Sequence, residues 1–298
     1  MALYGIIDVG SNSIKLVVYT EDKHKALKKI ENIKVQAHLC DHLEAGYLTA
    51  TGIEKLIHTL LSFQSVLQAY HLDSLICVGT AVIRQAVNRE QVLQDVFKQT
   101  GIRIKVMTGK EEAYYGYLAV IHSSSIRNAI IVDAGGGSTE VSLMKNGQLA
   151  DTYSFPFGVR TILKWIIDGQ MTPLQLRLHL IKQFSCISWI QDTGLPLFCL
   201  GGSAHQVARI MSHHRNEKLN RTHEYEIQAA ELFDLSEEIS QLKEEELTQI
   251  PGLSKKRADT IIPAVELFIS LIKITQSSSL IHGRRGMREG LVFERLYE

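Results

Sequence analysis

One pattern occurs twice in this chain and restricts the folds open to it. Residues 6–13 read IIDVGSNS, and residues 131–140 read IVDAGGGSTE. Each is an apolar run that ends in an aspartate and breaks into a turn of glycine and hydroxyl residues. A second apolar run follows each, IKLVVYT after the first turn and EVSLM after the second. Consecutive glycines cost backbone entropy and bring no side chain to a core, so they belong where bare backbone must approach something. The recurrence reads as an internal duplication, each half opening on a β-meander. In the second half, Asn146-Gly147 predicts a type I′ hairpin turn into QLADTYSF.

The rest of the chain fits an α/β reading. Strands are expected at 3–9 and 14–20, and VQAHL is expected as a third. The intervening lysine-rich DKHKALKKIENIK reads as a solvated hairpin. Residues 50–70 carry apolar residues at helical spacing. LICVGTAVI reads as a strand running into a loop that holds Arg84, residues 88–99 as a helix, and IRIKVM as another strand. Alternation of this kind implies sheets covered by helices. The serine-rich IHSSSIRN suggests a boundary, giving domains at 1–122 and 123–298, with the last helix, residues 287–298, packing back on the first. Beyond residue 160 the expectation is helix, apart from the strand PLFCL.

A chain of 298 residues is comfortable for two domains. Its formal net charge of zero excludes a wholly basic nucleic-acid binder, so any anion must meet a local cluster. No signal peptide or membrane-spanning helix is read, and no nucleic-acid or membrane partner is expected. The four cysteines, Cys40, Cys77, Cys186 and Cys199, lie far apart, which suits buried reduced thiols and a cytoplasmic location. The neighbouring His213 and His214 would point to different faces of one element, which argues against a metal site.

Each repeated turn can act as a nest of backbone N–H groups that takes phosphate oxygens, although a plain hairpin turn fits the shorter GSNS as well. Candidate contacts are Ser11, Asn12 and Ser13 in the first turn. In the second they are Gly135, Gly136, Gly137, Ser138, Thr139 and Glu140. An aspartate, Asp8 or Asp133, opens each turn. Beside phosphate it needs a cation, and Mg²⁺ suits one or two carboxylates with water and phosphate. Facing each other, such turns would clamp a phosphate chain across a cleft. Arg84 offers a bidentate, permanently charged fork. Lys15 reads equally as a phosphate contact or a surface residue. LGGSAHQ at 200–206 and HGRRGMREG at 282–290 are further glycine-rich stretches, the latter with Arg284, Arg285 and Arg288. In TGKEEA, Thr108 and Glu111 have the spacing of a capping box. Glu112 points about a quarter-turn away, where it could align a water or simply complement the helix dipole.

Taken together, DVGSNSIKL (8–16), TAVIRQAVN (80–88), GKEEA (109–113), DAGGGSTE (133–140), PFGVR (156–160), GLSKKRAD (252–259) and GMREGL (286–291) resemble the exopolyphosphatase/guanosine pentaphosphate phosphohydrolase family. That family is a branch of the sugar kinase–Hsp70–actin superfold. The resemblance implies two ribonuclease H-like domains of the actin-like ATPase superfold, flanking an interdomain cleft. It implies Mg²⁺-dependent removal of the terminal phosphate from inorganic polyphosphate or from guanosine pentaphosphate. Glu112 matches the catalytic base, Asp8 and Asp133 the metal-associated pair, Ser11–Ser13 and Gly135–Glu140 the phosphate turns, and Arg84 a phosphate-contacting arginine. Relatives often form dimers, so a homodimer is an expectation. The sequence departs from the family at Lys15, commonly arginine, and at GGSAHQ, where GGT-like sequences are usual, leaving His205 without a role. A phosphotransferase and a non-catalytic phosphate-ligand sensor of the same superfold are the competing classes.

Overall fold

The structure is a computed structural model, and it describes residues 2–22, 26–217, 219 and 224–297. It divides into two compact units, Met1–Glu112 with Glu294–Glu298, and Ala113–Phe293.

In the first unit, β1 (Leu3–Val9), β2 (Ile14–Glu21) and β3 (Leu27–Val35) form the meander. A small ladder of β4 (Leu43–Glu44) with β5 (Tyr47–Leu48) follows. Then come α1 (Ala50–Leu67), β6 (Ser74–Gly79), α2 (Ala81–Gln85), α3 (Arg89–Thr100) and β7 (Ile104–Val106). The sheet order is β3-β2-β1-β6-β7, antiparallel through the meander and parallel from β1 to β7. Ile7, Val9, Leu16 and Val18 meet Leu56, Leu60 and Phe63 of α1 and Val92 and Val96 of α3, forming one core.

α4 (Gly109–Ile121) leads to β8 (Ala129–Ala134), β9 (Thr139–Lys145) and β10 (Gln148–Phe155). Next are α5 (Val159–Gly169), α6 (Pro173–Phe184), β11 (Leu197–Leu200), α7 (Gly201–His214), β12 (Glu224–Gln228), α8 (Ala229–Ser240), α9 (Glu244–Leu247), α10 (Ile261–Thr275), β13 (Ser279–Gly283) and α11 (Met287–Tyr297). The second sheet runs β10-β9-β8-β11-β13-β12. Its side chains alternate between two covered faces, as strand geometry requires. Ile130 and Val132 belong to a core with α6, α7 and α10, whereas Ala129 and Ile131 pack with Val120 of α4.

The two sheets repeat each other in detail. Asp8 faces Lys15 across β1–β2 and Asp133 faces Glu140 across β8–β9, so the turns superimpose in sequence register. In that register Cys77, opposite Ile7, is the counterpart of Cys199, opposite Val132. Both thiols are pushed up by burial and, second, by the nearby aspartate, Asp8 or Asp133. Each third strand carries its bulge at the same step, Ile30 in β3 and Ala150 in β10. The α/β class and the duplicated architecture thus stand as expected.

Several local expectations need correction. The third strand lies in the lysine-rich segment, and VQAHL contributes only Val35 to it. That segment's alternation is weak because β3 is an edge strand with most side chains in water. The tip of the expected hairpin, residues 23–25, lies outside the described residues. Arg84 sits in a short helix, not a loop. Two strands besides PLFCL follow residue 160, β12 and β13. Cys186 is exposed and Cys40 half-buried, unlike the other two cysteines. No helix of the described residues is long and apolar enough to cross a membrane.

Candidate active site

The two turns are built the same way. Gly10 N donates to Ser13 O at 3.2 Å, and Gly135 N donates to Ser138 O at 3.0 Å. The chain returning from each third strand then ties down the turn's carbonyls. His38 N bonds Asn12 O at 2.9 Å and Cys40 N bonds Ser11 O at 3.1 Å. In the second unit, Val159 N bonds Gly135 O and Arg160 N bonds Gly136 O, both at 2.9 Å. A trans peptide points its N–H opposite its C=O. With these carbonyls held on one side, the N–H groups of Asn12, Ser13, Gly136 and Gly137 are turned to the other, which is how a nest presents donors to an anion. Asn12 Oδ1 is buried and has no hydrogen-bond partner in the described structure. Such an atom costs about 1–3 kcal/mol.

PFGVR supplies the clamp of the second turn. An ideal Cβ on Gly158 would lie 2.4 Å from Gly135 O and 2.7 Å from Gly136 C. Only glycine allows the approach. The position is held from beyond by Arg160, whose guanidinium donates to Asp259 Oδ2 at 2.6 Å. In the sequence PFGVR and GLSKKRAD are motifs without roles, and the Arg160–Asp259 pair is what links them. A glycine in an otherwise apolar and basic pentapeptide was the available signal.

The aspartates differ in their surroundings. Lys15 Nζ lies 3.9 Å from Asp8 Oδ2, so the first turn carries its own cation. In the second unit the facing residue is Glu140, buried and accepting from Ser154 Oγ at 2.8 Å. Directly opposed residues on adjacent antiparallel strands have Cβ atoms about 5 Å apart, so two carboxylates share one face. The third glycine stretch seats Asp133. Gly201 has φ +80°, and a Cβ there would lie 2.5 Å from Asp133 Oδ1. Ser203 Oγ donates to Ala134 O at 2.9 Å. The start of α7 thus abuts the carboxylate, where the helix dipole favours negative charge. Two opposed carboxylates on a rigid ladder are a donor set that fits a hard cation such as Mg²⁺.

The capping box forms as the spacing predicts. Thr108 N donates to Glu111 Oε2 at 2.8 Å, and Glu111 N donates to Thr108 Oγ1 at 3.1 Å. Lys105 Nζ, 2.8 Å from Glu111 Oε1, is the first cause holding that carboxyl below the usual range, with the Thr108 amide second. Glu112, mostly buried, turns away and meets the Arg84 guanidinium directly through Oε1. Arg84 Nη1 also donates to Met107 O at 2.8 Å. Arg84 is one helical turn beyond Thr80, whose N–H bonds Val9 O at 3.1 Å beside the first turn.

The structure therefore groups Asp8, Ser11, Asn12, Ser13, Lys15, Arg84 and Glu112 in the first unit. It groups Asp133, Gly135–Gly137, Ser138, Thr139 and Glu140 in the second. Thr139 is turned inward, its hydroxyl donating to Phe157 O at 2.9 Å, a bond that holds PFGVR to the turn. His205 lies beside His282, the rings tilted by 51°, with Nδ1 and Nε2 3.2 Å apart. Burial first, then Arg209, Arg284 and Arg257, keeps His205 below the usual histidine range.

The sequence profile of the Ppx/GppA phosphatase family matches residues 17–298. Exopolyphosphatase 1 of Mycobacterium tuberculosis is 25% identical over 305 residues, covering 98% of this chain and 88% of that protein. The Ppx/GppA family member of Aquifex aeolicus has a TM-score of 0.84 at 22% identity, covering 99% of this chain and 97% of that one. An exopolyphosphatase from Cytophaga hutchinsonii gives 0.87 at 20% identity, with the same coverage. At these identities the two structures speak for the fold.

Proposed function

Because this chain belongs to the Ppx/GppA phosphatase family, we propose that it is an exopolyphosphatase, releasing the terminal phosphate of inorganic polyphosphate. The observation that carries the reading is the turn built twice with its carbonyls tied back. N–H groups turned out of a tied-back turn offer donors to phosphate oxygens, an arrangement that a plain hairpin turn has no need of. The polyphosphate substrate, rather than guanosine pentaphosphate, follows the names of the relatives.

In this mechanism Glu112 accepts a proton from a water as the water oxygen bonds to the terminal phosphorus. The bond from that phosphorus to the bridging oxygen breaks, and the shortened chain leaves with the electron pair on that oxygen. The turn N–H groups and the Ser11, Ser13 and Ser138 hydroxyls hold phosphate oxygens in place. Arg84 supplies positive charge to a loose transition state. Asp133 and Glu140 would hold Mg²⁺, which neutralises phosphate charge when bound. Asp8 is already faced by Lys15 and serves to orient that ammonium.

The test is phosphate release from medium-chain polyphosphate with Mg²⁺ under excess substrate. Glu112→Gln should slow turnover at least about a hundredfold without weakening substrate binding, and a variant within about threefold of wild type would remove Glu112 from the role. Release from guanosine pentaphosphate but not polyphosphate would change the substrate and keep the chemistry.

A further inference from the structure

The base assigned above is engaged by the very arginine that a phosphate would attract. Glu112 Oε1 meets Arg84 Nη1, and the same nitrogen also donates to Met107 O. The backbone of Arg84 is fixed, its N bonding Thr80 O at 2.9 Å, so a change of partner needs only a rotation of the partly exposed side chain. Glu111 cannot stand in for its neighbour, since its two oxygens are taken by Thr108 and Lys105. A carboxylate neutralised by a guanidinium is a poor acceptor for a water proton. Arginine prefers phosphate oxygens at least as strongly, because they offer more charge and a bidentate edge.

We infer that Arg84 changes partner when a phosphate chain arrives, moving from Glu112 to the phosphate and so releasing the base only in the presence of substrate. The arginine is then a positioning residue as well as a phosphate contact, and the two roles exclude each other at Nη1. This rests on the reading of Glu112 as base and phosphate as ligand.

The exchange has a signature that needs no turnover. The probe is methylenebisphosphonate, whose P–C–P bridge water does not cleave, titrated calorimetrically into wild type, Glu112→Gln, Arg84→Gln and the double variant. If Glu112 competes for Arg84, Glu112→Gln tightens binding about tenfold when Arg84 is present and by less than about twofold when it is absent, a coupling that a double-mutant cycle isolates. Simple relief of repulsion gives the opposite order. An unscreened carboxylate repels phosphate more, so the gain would be equal or larger without Arg84, and that result overturns the exchange.

Should Arg84→Gln fail to fold, Glu112→Asp decides. Aspartate keeps the charge but is one methylene too short to reach the guanidinium, so the exchange predicts tighter binding and repulsion predicts none. If no variant binds the bisphosphonate at all, the phosphate reading itself falls, and the exchange with it. Binding without coupling sinks the exchange alone.

Discussion

Gly158→Ala tests whether PFGVR sets the shape of the second turn. Backbone strain is not at issue, since Gly158 has φ −137° and ψ −170°, open to any residue. The obstacle is contact. A Cβ would lie 2.4 Å from Gly135 O and 2.8 Å from Gly136 O, and both are backbone atoms that no rotamer change can move. An ordinary C···O approach is about 3.3 Å, so the two segments must separate by about 0.9 Å. The bonds from Val159 N and Arg160 N, both 2.9 Å, run across that gap and would be lost or badly stretched. Overpacking costs about 1–3 kcal/mol and each of the two lost bonds about 1 kcal/mol, giving about 3–5 kcal/mol. For a unit of this size that lowers Tm by about 6–20 °C. A turn displaced by about 1 Å should also lose about a hundredfold in turnover. Scanning calorimetry and phosphate release read the two effects. Tm within about 2 °C of wild type, with full activity, would refute the clamp.

Arg177 donates to both oxygens of Glu266, at 2.7 and 2.9 Å, and Glu266 is 1% exposed. Arg177→Ala should therefore cost about 3–5 kcal/mol in urea unfolding, while Arg177→Leu with Glu266→Leu recovers most of it; no recovery would contradict the uncompensated-charge account. His205 resists protonation when folded, so the unfolded chain binds more protons below about pH 6.5 and stability falls as pH drops through that range. His205→Gln should flatten the decline in Tm between neutral and mildly acidic pH, and an unchanged slope would exonerate the residue. A Cβ on Gly290 would lie 1.9 Å from Tyr115 O, a crossing of α4 and α11 with no room for it. Gly290→Ala should exceed about 3 kcal/mol or prevent folding, as circular dichroism would show. Glu140→Gln should raise the Mg²⁺ concentration for half-maximal activity at least about tenfold, and an unaltered midpoint would move the cation elsewhere.

The repeated meander was legible because strand, aspartate and turn sit in one uninterrupted stretch, and the Thr108–Glu111 cap because its spacing is local. What escaped the sequence was whatever depends on partners far along the chain. Among the residues of β12 only Ile227 is buried, so no alternation announces the strand. The apolar SLIHG of β13 is five residues long and runs into arginines, which makes it look like the loop it enters. Arg84 lies in a helix too short for periodicity. Gly158 and Gly201 were visible as glycines, but the atoms that require them, Gly135 O and Asp133 Oδ1, lie more than twenty residues away. The match of Cys77 with Cys199 needed the strand register as well.

That register also shows how little divergence a doubled scaffold needs. The residue across from the aspartate is lysine in one half and glutamate in the other. One position thus inverts the local polarity of two otherwise equivalent turns. In the first half the pair is an ion pair, with Lys15 Nζ 3.9 Å from Asp8 Oδ2; in the second it sets two carboxylates on one face. Exchanging lysine and glutamate at these two positions would exchange the two characters without touching the backbone of either turn.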